Sequence, residues 1–280
     1  MYEEKKLIEL KKRYDGKVIV VKYGGNAMTG KNAAASLMDD ILLLQSLGAR
    51  VVLVHGGGPE INAMLKKTGI ESRFVEGLRY TDSESIEIVQ MVLAGKVNKE
   101  LSLLISQRGG KALGVCGLDS GIITAEKMNT GADLGFVGQV TAIYAEPLYD
   151  VLSLGYIPVV ATLGSDKEGK VYNINADAAA GAIAAQMQAA AFVLLTDVAG
   201  ILKDKEDVLS LIDKIDVRQA KKYMDEKIID GGMIPKAKCC IKAVGSGVES
   251  AYIADGRAEN IFISCLLEQE GCGTLFVENM

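Results

Sequence analysis

The sequence predicts an α/β protein with a mostly parallel central sheet and two lobes. Short runs of aliphatic and β-branched residues alternate with stretches in which apolar residues recur at helical spacing. Glycines follow directly after two of these predicted strands. Because alternating strands and helices build βα units, the strands should run parallel, with ligands binding at their carboxyl ends, where the glycines lie.

The N-terminal part of the chain repeats one order of elements: a helix, a turn and a buried strand. A charged helix at residues 2–14 ends at Asp15-Gly16, and residues 17–23 form the first predicted strand. A second helix at residues 41–47 precedes a strand at residues 51–54, which ends just before a glycine triplet.

The same alternation continues in the C-terminal part, with strands predicted at residues 157–161 and 192–195. Between them, residues 171–191 become alanine-rich, which favours a helix, and we place the boundary between the lobes there. The charged stretch at residues 203–216 lacks periodicity and is predicted to be a surface loop. The predicted divisions are an N-terminal helical extension at 1–16, a first lobe at 17–176 and a second lobe at 177–280.

Charge and composition exclude several classes of function. The 280-residue chain has a formal net charge of −5 and a pI near 5.2, so it lacks the positive field that attracts nucleic acid. No stretch resembles a signal peptide or a membrane span, which predicts a cytoplasmic protein without a membrane partner. The five cysteines form no Cys-x-x-Cys pair, and the single histidine, His55, excludes mechanisms that need two imidazoles. Metal chemistry is left to carboxylates or phosphates, and no residue is assigned as a metal ligand.

Two glycine-rich segments at strand ends predict phosphate-binding loops. Gly24 and Gly25 follow the first strand, and Gly57 and Gly58 lie in the triplet after the second. Residues without side chains let backbone N–H groups approach an anion closely, and Pro59 suits the start of a helix that faces the same anion. Tight turns alone would also explain these glycines. The chain has neither a Gly-x-x-x-x-Gly-Lys-Ser/Thr segment nor a Rossmann fingerprint.

Two lysines are candidates for binding the anion. Lys22 lies at the end of an apolar strand, where a charged side chain is disfavoured unless it reaches a functional opening. Lys236 follows a turn-rich segment that would hold it in a defined place, but Lys238 and Lys242 are close by, and spacing does not choose among them.

Polar residues that could bind an acceptor substrate occur in two segments. Asn173, Asn175 and Asp177 alternate along an extended segment, so their side chains should lie on one side, and Asp177 also suits a helix N-cap. Arg79 is a candidate for paired hydrogen bonds to a carboxylate, although a lone surface arginine is equally common.

Taken together, these motifs resemble the acetylglutamate kinases of the amino acid kinase superfamily, over about residues 17–277. The segments that carry the resemblance are Lys22-Tyr23-Gly24-Gly25, His55-Gly56-Gly57-Gly58-Pro59, Gly77-Leu78-Arg79 with Thr81-Asp82, Gly95-Lys96-Val97-Asn98-Lys99-Glu100, Asp133-Leu134-Gly135-Phe136-Val137-Gly138, Asn173-Ile174-Asn175-Ala176-Asp177, Leu195-Thr196-Asp197-Val198-Ala199-Gly200 and Gly232-Met233-Ile234-Pro235-Lys236. The first of these is common to carbamate, uridylate and aspartate kinases, whereas the Gly-Leu-Arg and Asn-x-Asn-Ala-Asp segments are more particular.

The resemblance implies a three-layer αβα sandwich of the amino acid kinase fold and a direct in-line transfer from ATP to the γ-carboxylate of N-acetyl-L-glutamate. Catalysis would then consist mainly of positioning and charge stabilisation, with Mg²⁺ held by the phosphates and water. The implied catalytic residues are Lys22 and Lys236, on either side of the transferred phosphoryl group, and Asp177, which orients both ammonium groups.

The family pattern also assigns residues to binding. Backbone N–H groups of Gly24, Gly25, Gly57 and Gly58 would bind phosphate. The residues implied to bind the acceptor substrate are Gly57, Gly58, Arg79, Asn173 and Asn175. Thr196 and Asp197 would lie next to the nucleotide, and His55 would support the glycine triplet.

The N-terminal helix and the segment at residues 255–274 resemble hexameric members that L-arginine inhibits, which implies an L-arginine effector and a homodimer or homohexamer. Asn260 stands where those members have a histidine, and residues 115–121 also depart from the family pattern.

Two other functions stay open. One is a kinase for a longer substrate such as acetylaminoadipate, since one methylene changes pocket energetics by only ~1–3 kcal/mol. The other is a non-catalytic nucleotide- or arginine-sensing module.

Overall fold

A computed structural model describes residues 3–75, 77–268 and 270–279 of the chain. The helices are α1 (Glu4–Tyr14), α2 (Lys31–Ser46), α3 (Gly58–Thr68), α4 (Ser83–Gln90), α5 (Asn98–Gln107), α6 (Glu146–Ser153), α7 (Ala176–Gln186), α8 (Val217–Asp225), α9 (Met233–Val244) and α10 (Ile261–Leu266). The strands are β1 (Val18–Tyr23), β2 (Arg50–His55), β3 (Phe74–Val75), β4 (Leu78–Arg79), β5 (Ala112–Cys116), β6 (Ile123–Lys127), β7 (Val137–Ile143), β8 (Ile157–Ala161), β9 (Leu163–Ser165), β10 (Val171–Ile174), β11 (Ala191–Thr196), β12 (Lys214–Asp216), β13 (Ala251–Asp255) and β14 (Thr274–Val277).

The chain forms two compact units. The first consists of Met1–Val52 with Ala184–Met280, and the second consists of Leu53–Ile183. The chain passes from the first unit to the second within β2 and returns within α7. The α/β class and the mostly parallel sheet that the sequence predicts are confirmed.

The sheet of the first unit is built around β1 and β11. These strands pair in parallel, with Lys22 opposite Leu194, and β11 pairs in parallel with β13, with Thr196 opposite Asp255. Every residue of β1 and β11 is buried. Continuous apolar runs of this kind are typical of parallel strands covered on both faces. On the far side of β13, β14 runs antiparallel and β12 pairs with β14.

In the second unit, the end of β2 and the strand β5 both pair in parallel with β8. His55 lies opposite Ala161, which lies opposite Cys116, so the carboxyl ends of these strands are level. The remaining strands form a small closed barrel in the order β10, β7, β6, β9, and β3 and β4 form a short hairpin. The barrel was not predicted from the sequence, because its strands are only partly buried and lack a continuous apolar run.

The structure confirms the strands predicted at 17–23, 51–54, 157–161 and 192–195, apart from one-residue shifts at their ends. The loop predicted at residues 203–216 is wrong at its end, where residues 214–216 form β12. Ile215 there is fully buried, and pairing with β14 provides the order that local periodicity did not show. Within the described ranges, no helix is long and apolar enough to cross a membrane.

The compact units do not coincide with the predicted lobes. The predicted boundaries fall at 16/17 and 176/177, whereas the contacts divide the chain at 52/53 and 183/184. The N-terminal strand β1 belongs with the C-terminal residues because it pairs with β11. The division into an acceptor-binding lobe and a nucleotide-binding lobe stays a prediction about function.

Candidate active site

In the first unit, Lys22 lies at the carboxyl edge of the parallel strands. Its side chain is 6% exposed, which is unusual for a lysine, and it precedes only Tyr23 in β1. Thr196 ends the neighbouring strand β11, and its hydroxyl donates a hydrogen bond of 3.2 Å to Asp197 Oδ1. Because β1 and β11 are parallel and in register, these residues share one edge of the sheet. Thr196 and Asp197 therefore lie at the same carboxyl edge of the sheet as Lys22.

The loop after β1 turns sharply at its glycines. Gly25 has a φ of 65°, in the left-handed region that favours glycine, and begins a 3₁₀ turn at residues 25–29. The buried Tyr23 hydroxyl donates a hydrogen bond of 2.9 Å to the carbonyl of Ala27 and so fixes this turn over the strand end. The loop therefore has the defined conformation that backbone recognition of a phosphate requires.

Helix α9 brings Lys236 toward the same edge. This helix leads into β13 and packs against it. A helix that precedes a parallel strand begins at the carboxyl edge of the sheet. The first turn of α9 contains Lys236 and therefore lies at the same edge as Lys22 and Thr196. Lys236 is half-buried, whereas Lys238 and Lys242 are exposed. Burial thus favours Lys236 among the three lysines that spacing did not distinguish.

An apolar cavity of about 260 Å³ lies beside this edge. Its lining residues are Val198, Ala199, Gly200, Ile201, Leu202, Lys205, Ile228, Asp230 and Met233. Lys205 forms an ion pair with Asp230 at the cavity. Gly200 has a φ of 147°, and a Cβ there would come within 2.7 Å of Thr274 Oγ1, so a side chain would disturb this wall. The cavity was not assigned from the sequence, because its walls come from two separate segments, residues 198–205 and 228–233.

In the second unit, the glycine triplet connects β2 to helix α3. Pro59 occupies the first turn of α3, as its position after the glycines predicted. A Cβ at Gly57 would come within 2.8 Å of Leu93 Cδ2, and one at Gly56 within 3.3 Å of Ala176 Cβ. Close packing, and not backbone strain, requires glycine at Gly57, whose φ of −177° is ordinary extended backbone.

Arg79 is held next to this loop. Its Nη2 donates a hydrogen bond of 3.3 Å to the carbonyl of Gly58, and its Nη1 donates to Ser72 Oγ. The guanidinium also lies 4.7 Å from the centre of the Phe74 ring. Burial lowers the pKa of Arg79, but arginine stays protonated at neutral pH. Arg79 is therefore a positioned cation at 8% exposure and not a lone surface arginine.

A hydroxyl and an amide extend the polar group around Arg79, and a second amide lies at the start of α7. Thr81 Oγ1 donates a hydrogen bond of 3.0 Å to the Arg79 carbonyl, and Asn173 Nδ2 donates one of 3.3 Å to Thr81 Oγ1. Asn175 Oδ1 accepts a hydrogen bond of 3.0 Å from the backbone N–H of Ala178 at the start of α7. Thr81 was part of a recognised motif but was not assigned a role from sequence.

The start of α7 corrects one prediction. Asn175, and not Asp177, provides the capping oxygen, because Asp177 already lies in the first turn of the helix. Asp177 is 8% exposed, so this acidic residue is buried. The neighbouring Ala176 packs against Gly56 and places this turn beside the glycine triplet. An acidic group near a helix N-terminus is also favoured by the helix dipole.

The profile of the amino acid kinase family matches residues 17–255. The chain belongs to the amino acid kinase family. Curated relatives include acetylglutamate kinases from Caldanaerobacter subterraneus subsp. tengcongensis, 48% identical over 94% of this chain and 88% of that protein, and from Acaryochloris marina, 45% identical over 94% and 92%. The resemblance stated from the sequence is thereby confirmed.

Solved structures show the same fold for this amino acid kinase. The protein smu.665 from Streptococcus mutans is 29% identical over 94% of this chain and 99% of its own, with a TM-score of 0.76. N-acetylglutamate synthase from Neisseria gonorrhoeae, solved with coenzyme A and N-acetyl-glutamate, is 23% identical with a TM-score of 0.85, and this chain covers 63% of it. Carbamate kinase from Giardia lamblia, solved with AMP-PNP, is 15% identical over 94% of this chain and 99% of its own, with a TM-score of 0.66. The last two likenesses concern the fold alone.

The predicted site residues of this amino acid kinase fall into two sets, one in each unit. The first unit contains Lys22, Gly24, Gly25, Thr196, Asp197 and Lys236. The second unit contains Gly57, Gly58, Arg79, Asn173, Asn175 and Asp177. Lys22 and Thr196 of the first set and the glycine triplet of the second set lie where parallel strands end, which is where ligands bind in open α/β sheets. Arg79 lies in the hairpin of β3 and β4, and Asn173 lies in the barrel strand β10. In the part of the chain that the structure describes, no three His, Cys, Asp or Glu side chains form a cluster that would hold a metal ion.

Proposed function

We propose that this amino acid kinase transfers the γ-phosphoryl group of MgATP to the γ-carboxylate of N-acetyl-L-glutamate, giving an acyl phosphate. The relatives of 45–48% identity over most of the chain carry the name acetylglutamate kinase. The structural observation that supports the acceptor is the hydrogen-bonded group of buried Arg79, buried Thr81 and half-buried Asn173 beside the glycine triplet. A guanidinium beside the Ser72 hydroxyl, with an amide in the same hydrogen-bonded group, suits a substrate that has a carboxylate and an acetamido group.

The proposed acceptor needs no general base, because a carboxylate is already ionised at neutral pH. The γ-carboxylate oxygen attacks phosphorus, the bond from phosphorus to the ADP oxygen breaks, and ADP leaves with that electron pair. Arg79, Asn173 and Asn175 bind the α-carboxylate and acetamido end of the substrate. The N–H groups of Gly57 and Gly58 donate to the phosphoryl oxygens and to the acceptor, and those of Gly24 and Gly25 donate to phosphate.

Two lysines and one carboxylate complete the proposed catalytic set. Lys22 stabilises negative charge that develops between donor and acceptor, and Lys236 stabilises charge on the nucleotide side. Asp177 orients the ammonium groups. Preorganised cations of this kind act mainly on the transition state and therefore on turnover.

For the nucleotide, we assign Thr196 and Asp197 as neighbours of ATP and the cavity lined by Val198, Gly200 and Met233 as the pocket for its base. The cavity is apolar, which suits a flat heterocycle, and begins two residues after the end of β11. Mg²⁺ enters with the nucleotide and is held mainly by phosphate oxygens and water, because this ion gives up its hydration shell reluctantly.

Trapping of the acyl phosphate with hydroxylamine tests the proposal. The wild-type protein with MgATP should form hydroxamate from N-acetyl-L-glutamate faster than from glutamate or acetylaminoadipate. Preference for acetylaminoadipate would assign the longer substrate. Nucleotide binding without hydroxamate from any acceptor would support the non-catalytic sensing module.

We also propose that L-arginine binds at the junction of α1 with residues 266–268. The Tyr14 hydroxyl donates a hydrogen bond of 3.3 Å to the Leu266 carbonyl, and Arg13 forms an ion pair with Glu268. N-acetylglutamate synthase from Neisseria gonorrhoeae, which shares the fold, has been solved with L-arginine. Calorimetry should detect L-arginine binding to the wild type and weaker binding to Glu268→Gln. No heat of binding to the wild type would refute the effector site.

For assembly and location, we propose a homodimer or homohexamer in the cytoplasm. Exposed apolar side chains on the second unit, including Met91, Leu103 and Leu154, offer surface for subunit contacts. Light scattering coupled to size exclusion would show a mass of two or six chains, and a monomer would contradict this assembly.

A further inference from the structure

A π-helical stretch at residues 91–97 joins α4 to α5 and packs against the glycine triplet. Stretches of this kind are rare and frequently occur at functional sites, because the extra residue in each turn re-aims the side chains. Leu93 and Val97 from this stretch face Gly57, since a Cβ on that glycine would lie 2.8 Å from Leu93 Cδ2 and 3.2 Å from Val97 Cγ2. The stretch therefore limits where the backbone of Gly57 can lie.

Asn98, the first residue after the π-helical stretch, is 1% exposed and lies close to three hydrogen-bond acceptors. Its Nδ2 is 2.8 Å from the Val159 carbonyl, 3.0 Å from the Val115 carbonyl and 3.1 Å from His55 Nε2. Lys99 Nζ donates a hydrogen bond of 3.0 Å to Asn98 Oδ1. Because an ammonium group only donates, this bond identifies the oxygen of the amide and leaves Nδ2 as the atom directed at the acceptors.

Asn98 in turn fixes the proton on His55. An amide nitrogen only donates and the Gly56 carbonyl only accepts, so a neutral ring with both contacts carries its proton on Nδ1 and accepts at Nε2. From there it donates to the Gly56 carbonyl at 2.9 Å. Burial lowers the pKa of His55 to about 4, which keeps the ring neutral at physiological pH. The ring is fully buried and connects Asn98 to the first peptide of the glycine triplet.

The peptide that joins Gly56 to Gly57 is planar and trans, so its carbonyl and the N–H of Gly57 point in opposite directions. A donor that holds the Gly56 carbonyl therefore also sets the direction of the Gly57 N–H. We propose that Asn98 is a positioning residue for phosphoryl transfer, which acts through His55 to aim the Gly57 N–H at the reacting phosphate while Leu93 and Val97 hold the glycine in place. This inference rests on the proposed function, and it adds residues outside the proposed catalytic and binding set.

Asn98→Asp changes one functional group and tests the hydrogen bonds that link Asn98 through His55 to the Gly56 carbonyl. A carboxylate beside Nε2 accepts where the amide donated, so the ring proton should move to Nε2 and the Gly56 carbonyl should lose its donor. The chain has one histidine, so ¹⁵N spectra of labelled histidine report this ring alone. We expect the wild type to be protonated on Nδ1 and Asn98→Asp on Nε2. Turnover should fall about tenfold or more, with KM for both substrates within threefold, because a small misalignment lowers rates strongly.

Leu101→Ala is the matched control. Leu101 is a buried residue of the same helix, α5, and its side chain forms no hydrogen bond to His55 or Gly56. This variant should therefore lose stability but keep the histidine tautomer and turnover. A wild-type ring protonated on Nε2 would overturn the inference. Turnover of Asn98→Asp within twofold of wild type, with the tautomer switched, would also overturn it.

A second pair of variants serves if Asn98→Asp does not fold. The amide nitrogen of His55→Asn lies close to the position of Nδ1 and retains a donor for the Gly56 carbonyl, whereas His55→Gln places its amide near Nε2 and does not. Turnover should fall at least fivefold further in His55→Gln than in His55→Asn, and equal turnover or the reverse order would contradict the inference. A wild-type protein that forms no acyl phosphate would refute the proposed function instead. The histidine tautomer in wild type and variants would still show whether Asn98 sets the orientation of the Gly56–Gly57 peptide.

Discussion

At the residue scale, Lys22 and Arg79, the two buried cations assigned to the proposed reaction, have different surroundings. Lys22 is buried at a strand end, next to a glycine loop that begins a 3₁₀ turn. Arg79 is buried against Phe74 and bonded to Ser72 and Gly58. The first arrangement suits charge that develops during a reaction, and the second suits a fixed carboxylate. Their substitution should therefore affect different kinetic constants.

Lys22→Ala should lower kcat at least a hundredfold and change KM for N-acetyl-L-glutamate by less than about threefold, because the lysine acts on the transition state. Steady-state kinetics by hydroxamate formation measure both constants. Lys17→Ala is the control, since Lys17 precedes the same strand and forms an exposed ion pair with Glu249, which contributes little to stability. Unchanged turnover of Lys22→Ala would remove this residue from the mechanism.

Arg79→Ala should instead raise KM for N-acetyl-L-glutamate about tenfold or more, because a charge-assisted hydrogen bond in a buried site is worth roughly 1.5–3 kcal/mol. The KM for ATP should change little. Arg50→Ala, at an exposed arginine that begins β2, provides the control. An unaltered KM for the acyl amino acid would place its carboxylate elsewhere.

At the element scale, the π-helical stretch at residues 91–97 and the turn after β2 form one packed arrangement. The close approach at Gly57 depends on side chains from a helix that sequence periodicity did not identify as unusual. The glycines themselves were predictable as phosphate-loop residues, because they follow an apolar strand and precede proline. The reason that Gly57 must be glycine was not predictable, since it lies in tertiary packing.

Gly57→Ala should destabilise the protein by about 1–3 kcal/mol through overpacking and should lower kcat, because Leu93 or the loop must move. Gly95→Ala is the matched control, because a Cβ at Gly95 meets no neighbour within 4 Å and lies in a helical segment, where alanine is favoured over glycine. Denaturant unfolding and turnover would be measured for both. Equal stability and turnover of Gly57→Ala and wild type would show that this packing does not constrain the loop.

At the scale of the whole molecule, sequence patterns predicted the α/β class and the main strands because continuous apolar runs, such as those of β1 and β11, are a strong local signal. Three other features depend on long-range strand pairing, which no local pattern contains. These are the small barrel, the strand β12 and the assignment of β1 to the same unit as β11. Among site residues, Lys22 was predictable as a charge in an apolar strand. Thr81, Asn98 and the cavity near Gly200 were not, because their significance comes from contacts between distant segments.

Global stability should depend on the one histidine between pH 6.5 and 4. The pKa of His55 is lowered by burial to about 4 from 6.5, so the unfolded chain binds a proton in this window that the folded protein does not. Stability should therefore be lost as pH falls through the window, by up to ~1.4 kcal/mol per pH unit from this group. Urea unfolding at several pH values measures the slope. A folded His55→Gln variant should lose this component, and an identical slope in wild type and variant would contradict the assignment.

The central proposal is phosphorylation of the γ-carboxylate of N-acetyl-L-glutamate, with Lys22 as a catalytic residue. The most direct measurement is the rate of hydroxamate formation from N-acetyl-L-glutamate and MgATP, for wild type and Lys22→Ala under the same conditions. The wild type should turn over N-acetyl-L-glutamate with kcat/KM at least tenfold above that for acetylaminoadipate or glutamate, and Lys22→Ala should lose nearly all of this activity. Absence of hydroxamate from the folded wild type, or equal rates in the two proteins, would contradict it.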